Sequence, residues 1–352
     1  MGRGIPSSVS DKANNNLQRR QQQNCPPTHI IKQVNTPLVS ILIPTYNQSG
    51  YLLQAVKSAL HQDYPHLEVI VCDDASNDWD SRLLEDFKDN PGLRIHRNQT
   101  NLGRVGNYRQ SLYQLAKGDW VLMLDGDDYL HNPAYISSAM KITASNPGID
   151  LVFSNVARLY DGNTDNIVPA RANRDLPKIM EGRNLFLQLA DKKIALFHST
   201  VLYKREKAMS MEFYRKNIIS SDWESLHRYI LTGKVAFLDT IASVWRIHGG
   251  NATRNISAQG RADNLQAITE PCHAARKLGG FSPSELDNWF NRRLWKVAYK
   301  DAQTLLKAGD NHGFSLYLHA LEQISPPTAR RIRRSPKILL KRLLTRMSGT
   351  RA

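Results

Sequence analysis

Asp125-Gly126-Asp127-Asp128 gathers three carboxylates into four residues directly after the apolar run WVLML. Like charges this close oppose each other's ionisation unless a cation neutralises them. Hard divalent ions such as Mg²⁺ or Mn²⁺ take carboxylate oxygens and leave positions open for phosphate oxygens. The structural alternative is a helix N-cap cluster. A calcium loop is excluded, because no glycine stands at its sixth position. A second acidic end, Asp73-Asp74-Ala75-Ser76, follows EVIVC. A carboxylate there can accept hydrogen bonds from a nucleobase N–H or a ribose hydroxyl, or cap a helix. A third polar end, Pro44-Thr45-Tyr46-Asn47, follows LVSILI and offers an aromatic ring. Neither GxGxxG after the first strand nor GxxxxGK[ST] is present. A nucleotide diphosphate would therefore depend on metal held at the acid cluster.

The elements that must position these ends are short apolar runs alternating with helical patterns. Strands are expected at 38–44, 66–74, 93–98 and 119–128. Helices are expected at 50–61, 81–89 and 104–117 between them. Such alternation implies right-handed βαβ units and a parallel sheet. Ligands bind beyond the carboxyl ends of the strands in such sheets, where the three polar ends should converge. Further strands are expected over 150–157, 198–206 and 235–253, and helices over 182–191, 221–233 and most of 258–325. Trp289, Phe290, Leu294, Trp295 and Val297 are the expected core of that last region.

With 352 residues, 41% apolar and 22% charged, the chain can bury a core without disulfides. Three scattered cysteines suit a reducing compartment. The N-terminal MGRGIPSSVSDK lacks an apolar stretch, so no secretory signal is expected, and no run reaches the length of a membrane span. The expectation is a cytoplasmic protein. The net charge of +15 sits mainly in two tails. Residues 1–37 carry five Lys/Arg and one Asp, and read as a disordered leader. Residues 329–352 carry nine Lys/Arg and no acid, which leaves about +2 for the body. Nucleic-acid readers put their basic stripe on the folded domain, so no specific nucleic-acid partner is expected. In the last segment Ile338, Leu339, Leu340, Leu343, Leu344 and Met347 can share one helix face, with Lys and Arg between them. This basic amphipathic pattern suits an anionic membrane surface at the inner face of the plasma membrane, or a helix docked on the body.

Taken as an ordered set, these pieces resemble the family 2 glycosyltransferases of the GT-A fold. The matching stretches are VSILIPTYN (39–47), EVIVCDDASND (68–78), Asn101 to Gly103, AKGDWVLMLDGDD (116–128), SDWES (221–225) and WRIHGGNAT (245–253). The resemblance implies an α/β, Rossmann-like, mostly parallel sheet flanked by helices over 38–254. A helical extension over 255–325 and the basic tail over 326–352 would follow. It implies that Pro44, Tyr46 and Asp74 contact the nucleoside. Asp127 would ligate Mn²⁺ or Mg²⁺, and Asp125 would hold ribose or the metal. Arg109 and Arg246 would face the donor, with His248 at the metal or diphosphate. Asp222 matches the catalytic base, although Ser221 stands where the family carries a second acid.

The reaction implied is transfer of a sugar from a nucleotide-sugar, with UDP the expected nucleotide, to an acceptor hydroxyl. One base opposite the leaving group implies inversion at the anomeric carbon. A glycan or lipid-linked acceptor in surface-polysaccharide synthesis is expected from the resemblance. Two alternatives stand beside it. A nucleotidyltransferase also uses acid-bound metal, but residues 44–50 lack its Gly-rich basic loop. A polyanion-binding protein would use the basic tails.

Overall fold

The computed structural model describes residues 1–3, 36–161, 166–170, 172–190 and 194–349. The chain divides into two compact units, Met1–Thr36 and Pro37–Ala352. Within the first, residues 1–3 are exposed, and the expected disordered leader lies almost entirely outside the described residues.

The second unit is built on a ten-stranded sheet. Strands β1 (Val39–Thr45), β2 (Leu67–Asp73), β3 (Leu93–Arg97) and β4 (Trp120–Met123) run parallel in the order β3-β2-β1-β4. The central strands β1, β2 and β4 read as largely apolar runs because both their faces are covered, whereas the edge strand β3 (LRIHR) is polar and partly exposed. The pleat then sorts the side chains. Leu42, Ile70, Val121 and Met123 point into one core. Val39, Ile41, Ile43, Val69, Val71 and Leu122 point into the other. Helices α1 (Ser49–Leu60) and α3 (Tyr135–Ser145) cover the second face. The first is covered by α2 (Arg104–Gln110), which continues as a π-helical turn over Ser111–Leu115, and by C-terminal helices.

Beyond β4 the sheet becomes mixed. Strand β9 (Val201–Lys204) inserts antiparallel between β4 and β6 (Ile149–Tyr160). The 14-residue β10 (Lys234–Ile247) runs parallel to β6, with bulges between Leu238 and Ser243. Three short strands, β5 (Tyr129–Leu130), β7 (Val168–Pro169) and β8 (Ile179–Glu181), pair at the margins. The helix expected at 81–89 is a 3₁₀ helix over Ser81–Phe87, and the strand and Gly turn expected over 235–253 form one strand followed by a turn.

Helices α4 (Gly182–Gln188), α5 (Arg205–Ser210) and α6 (Ser221–Tyr229) lie along the chain before β10. After it come α7 (Ala258–Asp263), α8 (Gln266–Leu278), α9 (Pro283–Lys307), α10 (Asn311–Ile324), α11 (Pro326–Arg333) and α12 (Pro336–Gly349). They share the first core rather than forming their own. Trp289 on α9 stacks on Phe186 at 4.3 Å and donates to its carbonyl at 2.7 Å. Of the expected core residues, Trp289 and Leu294 are buried, while Phe290, Trp295 and Val297 are half-buried against it. In the tail Ile338 is buried in this core, whereas Leu339 and Leu340 are 45% and 59% exposed. Of the expected apolar stripe, Ile338 docks on the body and Leu339 and Leu340 stay outside, while the side chains of Leu343, Leu344 and Met347 lie outside the described residues.

Candidate active site

The ends of β1, β2 and β4 are stitched together by backbone hydrogen bonds. Asp74 N–H donates to the Thr45 carbonyl at 2.9 Å, and Gly126 N–H to the Pro44 carbonyl at 3.1 Å. The loops after β1 and β2 also lock side chain to backbone: Asn47 N–H donates to Ser76 Oγ and Asn77 N–H to Asn47 Oδ1, both at 2.9 Å. Asn47 and Ala75 hold φ of 53° and 59° there. A left-handed alanine costs on the order of 1 kcal/mol, strain that concentrates where function over-determines the backbone. Gly126 is required by packing, since a Cβ would lie 2.7 Å from Thr45 Oγ1.

These loops wall a cavity of about 420 Å³. Pro44, Tyr46, Asp74, Asp125 and Asp127, all expected at the site, line it. Asp74 is held by Asn98 Nδ2 and Leu102 N–H, each donating to Oδ1 at 2.8 Å. Tyr46 stands at the surface, 43% exposed, and so can meet a ligand ring. Asn251, Ala252 and Thr253 close the cavity from the turn after β10.

The three acids differ in their surroundings. Asp125 Oδ1 accepts from the Tyr108 hydroxyl at 2.5 Å. Asp127 Oδ2 accepts from His248 Nε2 at 2.8 Å and Asn251 Nδ2 at 3.3 Å. Asp128 Oδ1 accepts from Arg246 N–H at 2.9 Å. Burial and then the Asp125 charge push the Asp127 pKa up, against the pull of His248. Burial, followed by Asp127 and Asp125, holds Asp128 well above the ordinary carboxylate range. The cluster is thus short of positive charge, the condition in which a bound cation is favoured.

The cluster fits a cation held by one or two carboxylates plus substrate phosphates, the usual Mg²⁺ arrangement. It is not a closed protein cage: no group of three His, Cys, Asp or Glu side chains is poised around one point among the described residues. His248 fits a bracing role better than ligation. Its Nδ1 accepts from Gly250 N–H at 3.2 Å, so Nε2 carries the proton given to Asp127. Arg246 also braces from behind, donating to the Asp127 carbonyl at 3.0 Å and lying 4.8 Å over the Tyr51 ring. It does not line the cavity.

Arg109 is placed elsewhere. Its guanidinium donates to the Phe213 carbonyl at 3.3 Å and packs 4.9 Å from the Tyr113 ring. The arginine at the cavity is Arg104, which the sequence reading missed. Burial works to lower its pKa, but Tyr108, Asp222 and Asp125 outweigh burial and keep it charged. Arg104 also donates to the carbonyls of Ile218 and Ile219, just before α6. Asp222, in the first turn of that helix, is half-buried and its charge bears on Arg104, Tyr108 and Tyr214. It does not cap the helix: Ser220 occupies that position. Tyr108 was also missed. It is buried and lies 5.4 Å from the His198 ring, and burial followed by Asp125 holds its hydroxyl protonated far above the usual range. Its signal was the four-residue step from Arg104, which puts both on one helix face.

A half-parallel, half-mixed sheet with an acid-rich cavity at its carboxyl edge is an α/β architecture of the GT-A type. Residues 40–208 match the profile of glycosyl transferase family 2, which identifies that stretch as a glycosyltransferase domain. The chain is similar to the Staphylococcus aureus TarS 1–349 structure solved with UDP-GlcNAc, at TM-score 0.54 and 17% identity, over 81% of this chain and 92% of that one. It is also similar to a Pyrobaculum calidifontis mannosyltransferase solved with GDP-Man and Mn²⁺, at TM-score 0.52 and 16% identity, over 95% and 94%. In sequence it is 28% identical over 194 residues to the GalNAc(5)-diNAcBac-PP-undecaprenol beta-1,3-glucosyltransferase of Campylobacter jejuni, 54% of this chain and 60% of the relative.

Proposed function

We propose that this glycosyltransferase moves a sugar from a nucleotide-sugar, with UDP the leading nucleotide, to an acceptor hydroxyl with inversion. The observation that carries the reading is the convergence of Tyr46, Asp74, Asp125, Asp127 and Arg104 on one cavity. Tyr46 and Pro44 pack on the base, and Asp74 accepts from the nucleoside. Asp125 and Asp127 hold a divalent ion, Mn²⁺ or Mg²⁺, whose chemistry is to neutralise charge on the departing diphosphate. His248 and Asn251 keep Asp127 aimed. Arg104 adds a fixed positive charge at the same place. As the acceptor oxygen bonds to the anomeric carbon, the bond from that carbon to the diphosphate breaks. The acceptor's proton passes to Asp222.

The relative from Campylobacter jejuni, named for an undecaprenol-linked acceptor, supports a lipid-linked or glycan acceptor in cell-envelope synthesis. No described helix is long and apolar enough to cross a membrane. The basic tail over 329–352 would instead meet an anionic surface at the inner face of the membrane. Calorimetric titration of UDP, GDP, CDP and dTDP, each with Mn²⁺ and with EDTA, tests the donor site. Metal-dependent binding of one nucleotide, lost in Asp127→Ala, is expected. Binding of none would sink the reading.

A further inference from the structure

Helices α9 and α11 and the start of α12 line a second, shallow and open hollow of about 590 Å³. It shares no lining residue with the acid-rich cavity. Trp295, Arg330, Arg331, Arg334 and Ser335 form its wall. The Arg331 guanidinium lies 3.8 Å from the centre of the Trp295 ring, which fixes a planar cation in place. Among the described residues none of these three arginines forms an ion pair, whereas Arg333 beside them is held by Glu322 at 2.7 Å. No acid follows Glu322 in the chain. Arg330 and Arg334 stand four residues apart, where like charges repel on a helix. Three guanidinium groups without an ion-pair contact around one hollow are the recognition chemistry of a phosphate.

The neighbouring surface selects the source of that phosphate. Leu339 and Leu340, one turn into α12, are exposed. A free phosphate accounts for the arginines alone. A phospholipid surface accounts for both, with headgroup phosphate at the guanidiniums and apolar contact at the leucines. We infer that this hollow is a phosphate-headgroup site that seats the C-terminal helices on an anionic lipid surface. The inference deepens the membrane-surface reading proposed above and rests on it.

Sedimentation of the full chain with vesicles tests it. The vesicles are phosphatidylcholine alone, and phosphatidylcholine mixed with phosphatidylglycerol. The wild type should bind only the mixed vesicles, and added salt should weaken the binding. R330Q/R331Q/R334Q should weaken it about a hundredfold, from a factor of roughly five for each basic residue. A charge-matched control at exposed lysines, K57Q/K88Q/K141Q, should change it by less than about twofold. If the wild type ignores the mixed vesicles, the membrane reading falls and this site with it. If it binds and both triple variants lose equal affinity, the site falls while the membrane reading stands. Tight binding of glycerol 3-phosphate in solution, with vesicle binding intact in the arginine variant, would move the site to a soluble anion. Circular dichroism and UDP titration check folding. If the triple variant unfolds, R334Q alone carries the test, with about a fivefold loss expected.

Discussion

Asp128 and Glu224 are both buried carboxylates, and they are built in opposite ways. Glu224, fully buried on α6, receives Arg228 Nε at 2.6 Å on Oε1 and Arg228 Nη2 at 3.0 Å on Oε2. Arg215 adds a third contact at 3.2 Å and ties on to Glu270 at 2.8 Å. That charge is matched inside the protein. Asp128 has a backbone N–H and the Arg246 charge on one side, and burial with two neighbouring acids that outweigh them on the other. Its region carries a deficit of positive charge that a bound cation would fill. A compensated buried carboxylate organises a fold, whereas an uncompensated cluster is poised for a ligand.

The largest break should come at Asp222, which belongs to neither pattern. Asp222→Asn should lower turnover by roughly 10²–10⁴-fold while nucleotide binding and melting temperature stay close to wild type. Steady-state rates alongside calorimetry decide this. Equal losses in binding and rate would make it a structural residue. The compensated region predicts the reverse outcome. Arg228→Ala leaves Glu224 buried without its main partner, a change that costs about 3–5 kcal/mol. Denaturant unfolding should show that loss, and nucleotide affinity of the folded fraction should be unchanged.

The uncompensated region has a pH signature. Raised pKa values mean that the folded state holds protons on Asp127 and Asp128 more tightly than the unfolded chain does. Their ionisation therefore opposes folding. The contribution is most favourable at acid pH and is lost as pH climbs from the ordinary carboxylate value through the raised ones. Asp128→Asn keeps an acceptor for Arg246 N–H and removes one charge. In EDTA at neutral pH it should raise the melting temperature by about 2–4 °C, the shift expected for roughly 1 kcal/mol. Mn²⁺ should stabilise the wild type more than this variant. A melting temperature that falls on substitution would mean the cluster is already compensated.

The strand ends were legible because doubly covered strands are written as continuous apolar runs, and polar residues must begin where cover stops. Pro44, Asp74 and Asp127 were found that way. The insertion of β9 between β4 and β6 was not legible, since pairing between strands so distant in sequence leaves no local period. His248 was placed at the metal or diphosphate by the resemblance alone. Its tautomer, and so its bracing of Asp127, depends on Gly250 N–H meeting Nδ1 in a turn.

Arg104 and Arg109 give the smallest effect and the sharpest contrast. Both lie on α2, and both are arginines close to the expected donor site. Five residues of helix turn the side chain by about 140°, whereas four bring it back close to the same face. Tyr108, four residues after Arg104, therefore shares its face and lines the cavity with it. Arg109 is turned toward Tyr113 and the Phe213 carbonyl. Arg109→Ala should lose one cation–π contact and one hydrogen bond, a stability change of about 1 kcal/mol, and leave nucleotide affinity unchanged. Arg104→Ala should weaken nucleotide binding by at least about tenfold, the loss of one charge-assisted contact. Calorimetry on the two variants side by side separates them. Equal effects on affinity would mean that the helix turns on donor binding, and that the face presented to the cavity is not the one that meets the nucleotide.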